Sequence, residues 1–253
     1  MSPEALKQST TPKKILMITG WGVGTAPLQP LQEALQHAGH KVQLIDIFDI
    51  HCPQQLRNVV ELAQGSEVLI GWSLGGQLAW YVAQYILQHT GIAKTVITLA
   101  SNPCFVQNTQ IQPQWLNAMP IEEFQQFTVN FQQDSEQTLK QFYLNICRGS
   151  VTAKADWRQL SQRANPPSIP VLATGLKLLQ DLNFLHIFQS YPALNHHIFA
   201  MQDTLIPCEI IQNIQQISAN FSSFSLLQQT SHSFPFTQVE ATLQEIEIFL
   251  QKV

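Results

Sequence analysis

A serine lies between two glycines in the segment Gly71-Trp72-Ser73-Leu74-Gly75, directly after the apolar run 68–70 and directly before an apolar helical pattern. This G-x-S-x-G pattern is typical of a sharp strand-to-helix turn in which the serine takes a strained backbone conformation. Side chains two residues before and after the serine would collide in such a turn, so both positions require small residues. The pattern therefore predicts that a strand ends and a helix begins at Ser73.

Short apolar runs alternate with amphipathic segments on both sides of this turn. The predicted strands cover residues 14–18, 42–47, 68–70 and 95–100, and the predicted helices cover 28–38, 53–64 and 74–89. Strands that alternate with helices through short connections indicate a parallel sheet that is wrapped by helices.

The pattern changes after residue 100. Residues 105–165 contain aromatic side chains at helical spacing and no strand pattern, and a further helix is predicted over 168–182. The alternation then resumes with predicted strands at 197–201 and 224–227 and predicted helices at 207–217 and 237–251. We therefore predict an α/β fold with a mostly parallel central sheet, in which residues 1–104 and 182–253 form the core. Residues 105–181 are predicted to form an all-helical cap over the carboxyl edge of the sheet, where ligands bind in open parallel sheets.

Composition argues against several other classes of protein. The formal net charge of −4 gives no reason to expect nucleic-acid binding, and no apolar stretch approaches the roughly 18 residues of a membrane span. The run 15–18 is too short for the core of a signal peptide. The four cysteines lie far apart without a C-x-x-C pair, which argues against a zinc site or a disulfide framework. We expect a cytoplasmic protein with reduced thiols and with no metal or cofactor.

A serine hydroxyl becomes an effective nucleophile when a neutral imidazole accepts its proton. His232 lies between the last predicted strand and the last predicted helix, in a loop that is expected at the same sheet edge as Ser73. His196 and His197 open a predicted strand at its opposite end and are expected to be structural or exposed. We predict that His232 is the base, the alternative being a lone polar histidine in a loop.

Asp203 is the predicted partner of this histidine. It follows the strand 197–201 and precedes Pro207, where the next helix is predicted to begin. A carboxylate here would hold the imidazole in one tautomer and stabilise the imidazolium as it forms. The same position suits a helix N-cap, and Asp181, in the cap or at its exit, is the nearby competitor.

Backbone N–H groups complete the predicted site. The residue after the serine, Leu74, and Trp21, in the loop Thr19–Gly22 after the first strand, are the predicted oxyanion donors. A phosphate site is the alternative for this Gly-rich loop, but the chain has neither G-x-x-x-x-G-K-[ST] nor G-x-G-x-x-G.

Together these motifs resemble the α/β-hydrolase superfamily over nearly the whole chain and, within it, the pimeloyl-[acyl-carrier protein] methyl ester esterases of biotin synthesis. The more specific likeness lies in Trp72 beside the serine and in the segment Ser101-Asn102-Pro103-Cys104-Phe105, with further likeness over 138–142 and 231–236. The resemblance implies a serine carboxylesterase that acts on a pimeloyl methyl ester carried by an acyl-carrier protein. It implies a triad of Ser73, Asp203 and His232, oxyanion donors at Trp21 and Leu74, and substrate contacts from Trp21 and Phe142.

The chain departs from this family at several positions. Thr19 replaces a histidine, Met201-Gln202 replaces a segment with a glycine before the acid, and Gln137 and Gln141 replace arginines of the cap. The opening β-hairpin of the family is expected to be reduced or missing. Another carboxylesterase, a thioesterase or a C–C hydrolase would use the same parts, and a non-catalytic small-molecule receptor on the same fold is the alternative outside enzymes.

Basic residues are concentrated in one part of the predicted cap. Residues 140–163 contain five basic side chains and one acidic one, a local balance of +4 in a chain of net −4, so that the other residues sum to −8. Lys154 and Arg158 are the predicted docking residues for an acidic acyl-carrier protein, and the alternative is a solvated helical face. We expect the protein to act as a monomer.

Overall fold

The structure, a computed structural model, describes residues 11–111, 114–218 and 221–253. Six strands within these ranges form one sheet in the order β2-β1-β3-β4-β5-β6, and every neighbouring pair is parallel. The strands are β1 Lys14–Ile18, β2 Lys41–Ile45, β3 Val68–Trp72, β4 Thr95–Leu99, β5 Asn195–Ala200 and β6 Ser222–Leu227. The predicted α/β fold class is confirmed. The expectation about an opening hairpin concerns the segment before β1, of which residues 1–10 lie outside the described residues.

Helices cover the sheet and supply the insertion between β4 and β5. Those of the core are α1 Gln29–His37, α2 Pro53–Gln64, α3 Leu74–Thr90, α8 Ile210–Ile217, α9 Phe234–Thr237 and α10 Val239–Leu250. The four cap helices between β4 and β5 are α4 Ile121–Gln133, α5 Ser135–Cys147, α6 Ala153–Arg163 and α7 Ile169–Asp181. None of the helices in the described ranges combines the length and hydropathy of a membrane span.

The centre of the sheet is buried on both faces. Every residue of β3, β4 and β5 is buried, whereas the edge strand β6 is only partly buried along its length. Parallel strands with helices on both faces read as continuous apolar runs rather than as alternating ones, which explains why the runs 68–70 and 95–100 were recognisable. The turn that contains Ser73 thus leaves the sheet from its buried middle.

Several boundaries differ from the sequence-based predictions, among them those of α8, the final helix and β2. Helix α8 begins at Ile210, not at Pro207, because residues 203–209 form turns around the carboxylate of Asp203. The predicted final helix, 237–251, begins at Val239 as α10, and the short helix α9 precedes it. Gln238, between the two, has φ and ψ of −123° and 50°, which are not helical. β2 ends at Ile45, two residues earlier than predicted.

The cap is joined to the core beside the carboxyl edge of the sheet. The Tyr143 hydroxyl donates to the Gly22 carbonyl oxygen at 2.8 Å, which ties α5 to the loop after β1. The Ser231 hydroxyl donates to the Ile146 carbonyl oxygen at 3.1 Å, which ties the end of α5 to the loop after β6. The cap therefore faces the two loops in which Trp21 and His232 lie.

Candidate active site

Ser73 is held in the strained conformation that its flanking glycines predict. Its φ of 56° and ψ of −122° lie in a region that residues with a side chain rarely adopt. A Cβ on Gly71 would collide with the carbonyl oxygen of Gly75, and a Cβ on Gly75 would collide with the carbonyl oxygen of Ile18. Both glycines are therefore required for the turn that presents the Ser73 hydroxyl at the start of α3.

Asp203 and His232 form a buried pair at the same sheet edge. The Oδ2 atom of Asp203 lies 2.7 Å from Nδ1 of His232, and both side chains are buried. The other carboxylate oxygen, Oδ1, accepts the backbone N–H groups of Leu205 at 2.8 Å and Ile206 at 2.9 Å. With Nδ1–H donating to this fixed carboxylate, the lone pair of the imidazole resides on Nε2, where a base needs it.

The residue next to the serine holds the histidine loop. The indole N–H of Trp72 donates to the main-chain carbonyl oxygen of His232 at 3.1 Å, and the two rings lie 5.5 Å apart between centroids. The edge of Phe236 closes the other side of the indole at 5.6 Å. Ser73, Asp203 and His232, which the sequence placed in three separate segments, are thus brought to one edge of the sheet.

The loop after β1 lies against the nucleophile turn. An ideal Cβ on Gly20 would be 3.2 Å from the Cβ of Ser73, so this loop passes in direct contact with the serine. Within the described ranges, no hydrogen bond uses the backbone N–H of Trp21 or of Leu74. The Thr19 hydroxyl, at the position where the family has a histidine, donates to the Gly24 carbonyl oxygen at 2.7 Å and fixes the loop from inside. The backbone N–H groups of Trp21 and Leu74 therefore remain free to donate to a bound oxygen atom.

An apolar cavity extends from Ser73 into the cap. Trp21 and Phe142 line it, with ring centroids 4.9 Å apart in an edge-on arrangement, and the Trp21 indole N–H is bound by the Leu172 carbonyl oxygen at 2.8 Å. The cavity volume is about 40 Å³, well below the roughly 300–1,000 Å³ of typical ligand pockets. The aromatic side chains therefore pack closely around the space beside Ser73.

Among the lining residues that were not predicted from the sequence, one is polar. Asn145 lies one helical turn after Phe142 on α5 and is a polar member of an otherwise largely aromatic and aliphatic lining. The spacing of three between Phe142 and Asn145 could have identified it, because this spacing places both residues on one face of the helix. The apolar residues around Asn145 are typical of any buried helix face, so the sequence alone did not mark this face as a binding site.

The competing titratable residues lie elsewhere. Burial lowers the pKa of His196 to about 4 and that of His197 to about 3, so both are neutral. Both are buried in β5, which agrees with the structural one of the two expected roles. His197 binds the Thr98 hydroxyl at 2.7 Å. Asp181 is exposed at the last position of α7. In the described part of the chain, no group of three His, Cys, Asp or Glu side chains is placed to hold a metal ion.

The basic residues of the cap differ in their surroundings. Lys154 and Arg158 are exposed on α6, and no salt bridge in the described ranges involves either. Lys140 is paired with Glu136 at 2.6 Å. The single acid of the cluster, Asp156, is buried and accepts the Ser150 hydroxyl at 2.6 Å. The exposed charge on α6 is therefore positive.

The parallel sheet, the strained serine turn and the buried acid–histidine pair are the parts of a serine hydrolase of the α/β-hydrolase class. Solved structures agree on the fold: an esterase from Exiguobacterium antarcticum matches 96% of this chain and 93% of its own with a TM-score of 0.77 at 16% identity. A bromoperoxidase from Bacillus anthracis matches 95% and 92% with a TM-score of 0.76 at 17% identity.

The sequence comparisons are more specific. A pimeloyl-[acyl-carrier protein] methyl ester esterase of Xylella fastidiosa is 31% identical over 211 residues, which cover 78% of each chain. One of Vibrio atlanticus is 26% identical over 94% of each chain. No protein-family model matches the chain. The chain belongs to the family of pimeloyl-[acyl-carrier protein] methyl ester esterases.

Proposed function

We propose that this protein hydrolyses the methyl ester of a pimeloyl group carried by an acyl-carrier protein, with Ser73, His232 and Asp203 as its catalytic triad. The observation that carries the proposal is the strained Ser73 at the mouth of an apolar cavity, with the buried Asp203–His232 pair held against the same turn. The printed activity of the relatives supplies the substrate class.

The reaction proceeds through an acyl-enzyme. The Ser73 Oγ attacks the ester carbonyl carbon while Nε2 of His232 takes the hydroxyl proton, and the imidazolium is stabilised by Asp203. The tetrahedral adduct then expels methanol, which receives that proton from His232. Water enters, loses a proton to His232 and attacks the acyl-enzyme, and Ser73 leaves with the proton restored. The products are methanol and a free carboxylate at the end of the pimeloyl chain.

The oxyanion of each tetrahedral adduct is bound by the backbone N–H groups of Leu74 and Trp21. The first belongs to the first turn of α3, whose N–H groups have no acceptor within the helix and carry a partial positive charge. The second belongs to the loop that touches the serine turn at Gly20. One such donor is worth about 3 kcal/mol of transition-state stabilisation.

The acyl chain lies in the cavity between Trp21 and Phe142, and the carrier protein stays outside. Exposed Lys154 and Arg158 on α6 attract the acidic body of the carrier through steering and solvent-exposed ion pairs, each worth under about 1 kcal/mol. We further propose that the protein acts as a monomer, because a single chain supplies every group named above. We propose that it acts in the cytoplasm, where its four free cysteines would stay reduced.

The identity of the released product tests this function. With a methyl pimeloyl thioester on the carrier protein, the enzyme should release methanol and leave the carrier thioester intact, as read by mass spectrometry of the carrier. The Ser73→Ala variant should release nothing. Release of the free carrier thiol would indicate a thioesterase instead, and saturable binding without any turnover would indicate a receptor.

A further inference from the structure

The cavity beside Ser73 contains one polar side chain that the triad chemistry does not use. Asn145 lines it together with Trp21, Phe142, Leu179 and other apolar residues. Asn145 is half-buried. A ligand that displaces water from its amide without replacing that hydrogen bond loses binding free energy, so an amide in an apolar binding site favours ligands that offer it a partner.

The hydrogen bonds of Asn145 leave its donor side open. Its Oδ1 atom accepts Nε2–H of Gln141, one turn earlier on α5, at 3.4 Å. No hydrogen bond found among residues 11–111, 114–218 and 221–253 uses its Nδ2 atom. Because Phe142 and Asn145 share one helix face, the amide lies beside the aromatic wall that an acyl chain would contact.

The position of Asn145 relative to the base is fixed by its neighbour in sequence. The carbonyl oxygen of Ile146 accepts the hydroxyl of Ser231, the residue before His232, at 3.1 Å. The C-terminal end of α5 is thus held against the histidine loop. The main chain beside Asn145 cannot move away from the histidine loop without breaking this connection.

We propose that Asn145 binds a second carbonyl group of the acyl chain through its Nδ2–H, so that the site selects esters of dicarboxylic chains over esters of simple fatty acids. The inference rests on the proposed function, since it concerns an ester bound at Ser73. Asn145 is a specificity residue in this account and touches the chain away from the reacting carbonyl. A hydrocarbon chain of equal length would exclude water from the Nδ2–H group without offering it an acceptor, and it would bind less well.

Two esters of equal length separate this role from others. Dimethyl pimelate carries a second ester carbonyl, and methyl nonanoate has the same number of chain atoms without one. In the Asn145→Leu variant, kcat/KM for dimethyl pimelate should fall on the order of tenfold, mainly through KM, while that for methyl nonanoate should be unchanged or raised. An equal fall for both esters would overturn the proposal, because Asn145 would then support the reacting groups or the fold.

The Asn145→Asp variant guards against misfolding, because it preserves the size of the side chain and removes the donor. It should lower the ratio of kcat/KM for dimethyl pimelate to kcat/KM for methyl nonanoate, as Asn145→Leu does. A matched control is Asn130→Leu, the same change at an exposed position on α4, which should alter neither ester. Thermal unfolding of each variant shows whether the fold is retained. If the parent protein hydrolyses neither ester, the proposed function fails; if it hydrolyses both and the ratio is insensitive to Asn145, only this inference fails.

Discussion

The indole N–H of Trp72 donates a hydrogen bond to the main-chain carbonyl oxygen of His232 across 160 residues of sequence. Trp72 is the last residue of β3 and precedes the serine, so the bond ties the histidine loop to the nucleophile turn. The position of the His232 loop beside Ser73 is therefore supported by an interaction that, in the proposed mechanism, takes no part in the chemistry. Small errors in such positioning are costly to a rate because the reacting atoms must be aligned.

Removing this hydrogen bond should slow the reaction with little effect on substrate binding. We expect Trp72→Phe to lower kcat about 3- to 10-fold, the equivalent of one hydrogen bond, with KM little changed for a p-nitrophenyl ester. Trp80→Phe is the matched control, because Trp80 is equally buried and its indole N–H has no acceptor among the described residues. Equal losses of kcat in both variants would show that general loosening, not the bond to His232, is responsible.

Asp203→Asn should retain the turn at residues 203–209, but it should no longer orient the imidazole of His232. An amide in place of the carboxylate favours the wrong tautomer of His232, and kcat should fall by a factor on the order of 10⁴. The measurement is single-turnover hydrolysis of an activated ester at pH 7. Asp181→Asn, at the exposed end of α7, should stay within about twofold of the parent; if Asp181 is the more damaging position, the acid has been assigned wrongly.

Gly75→Ala should be severely destabilising. Its Cβ would overlap the carbonyl oxygens of Ile18 and Thr19, which are main-chain atoms of the sheet and its adjoining loop. Relief requires the strand or the helix to move, at a cost of about 3 kcal/mol or more in the free energy of unfolding. Gly65→Ala is the control, since its φ is −73° and a Cβ there makes only ordinary contacts. Urea unfolding should find Gly65→Ala neutral or up to about 1 kcal/mol more stable.

Acid should destabilise the protein through the two histidines of β5. Burial lowers the folded-state pKa of His196 to about 4 and that of His197 to about 3, below the roughly 6.5 of an unfolded chain. The unfolded state therefore binds more protons, and the stability present above about pH 6.5 is lost as the pH falls toward the folded values. The slope contributed by each group is at most about 1.4 kcal/mol per pH unit.

The contribution of His197 to this slope is measurable by urea unfolding between pH 7 and pH 4.5. His197→Gln keeps a polar side chain for Thr98 and removes the titrating group, so the unfolding free energy should change less steeply with pH than in the parent. The exposed His51 offers a comparison, and His51→Gln should leave the slope unchanged. An unaltered slope in His197→Gln would mean that other groups carry the acid sensitivity.

Charge reversal on α6 should affect only the carrier-bound substrate. Lys154→Glu combined with Arg158→Glu should raise KM for the carrier-bound ester several-fold at low salt, because exposed pairs act through steering. Hydrolysis of a small free ester should be nearly unchanged. Lys41→Glu with Lys252→Glu changes the net charge equally at two exposed positions outside the cap. This control should not raise KM for the carrier-bound ester. A rise for both substrates in the α6 variant would assign these residues to the fold of the cap.

The sequence was most informative where a constraint is local. The glycines at 71 and 75 predict the serine turn because their steric requirement is met by residues within a few positions, and the structure places main-chain atoms where a Cβ would be. The strands β3 and β4 were recognisable because burial on both faces demands an unbroken apolar run. The six-stranded parallel sheet and the helical insertion follow from that alternation.

The tertiary structure decided what depends on residues that are distant in sequence. The bond from Trp72 to His232 and the packing of Trp21 against Phe142 each join a loop to another part of the chain, and the same packing places Asn145 in the wall of the cavity. Helix α8 starts three residues later than predicted because the chain turns around Asp203, whose carboxylate accepts the backbone N–H groups of Leu205 and Ile206. Periodicity in the sequence shows which face of a segment is apolar. The segment that packs against this face is selected by the packing of the whole chain, and substrate selectivity depends on that packing.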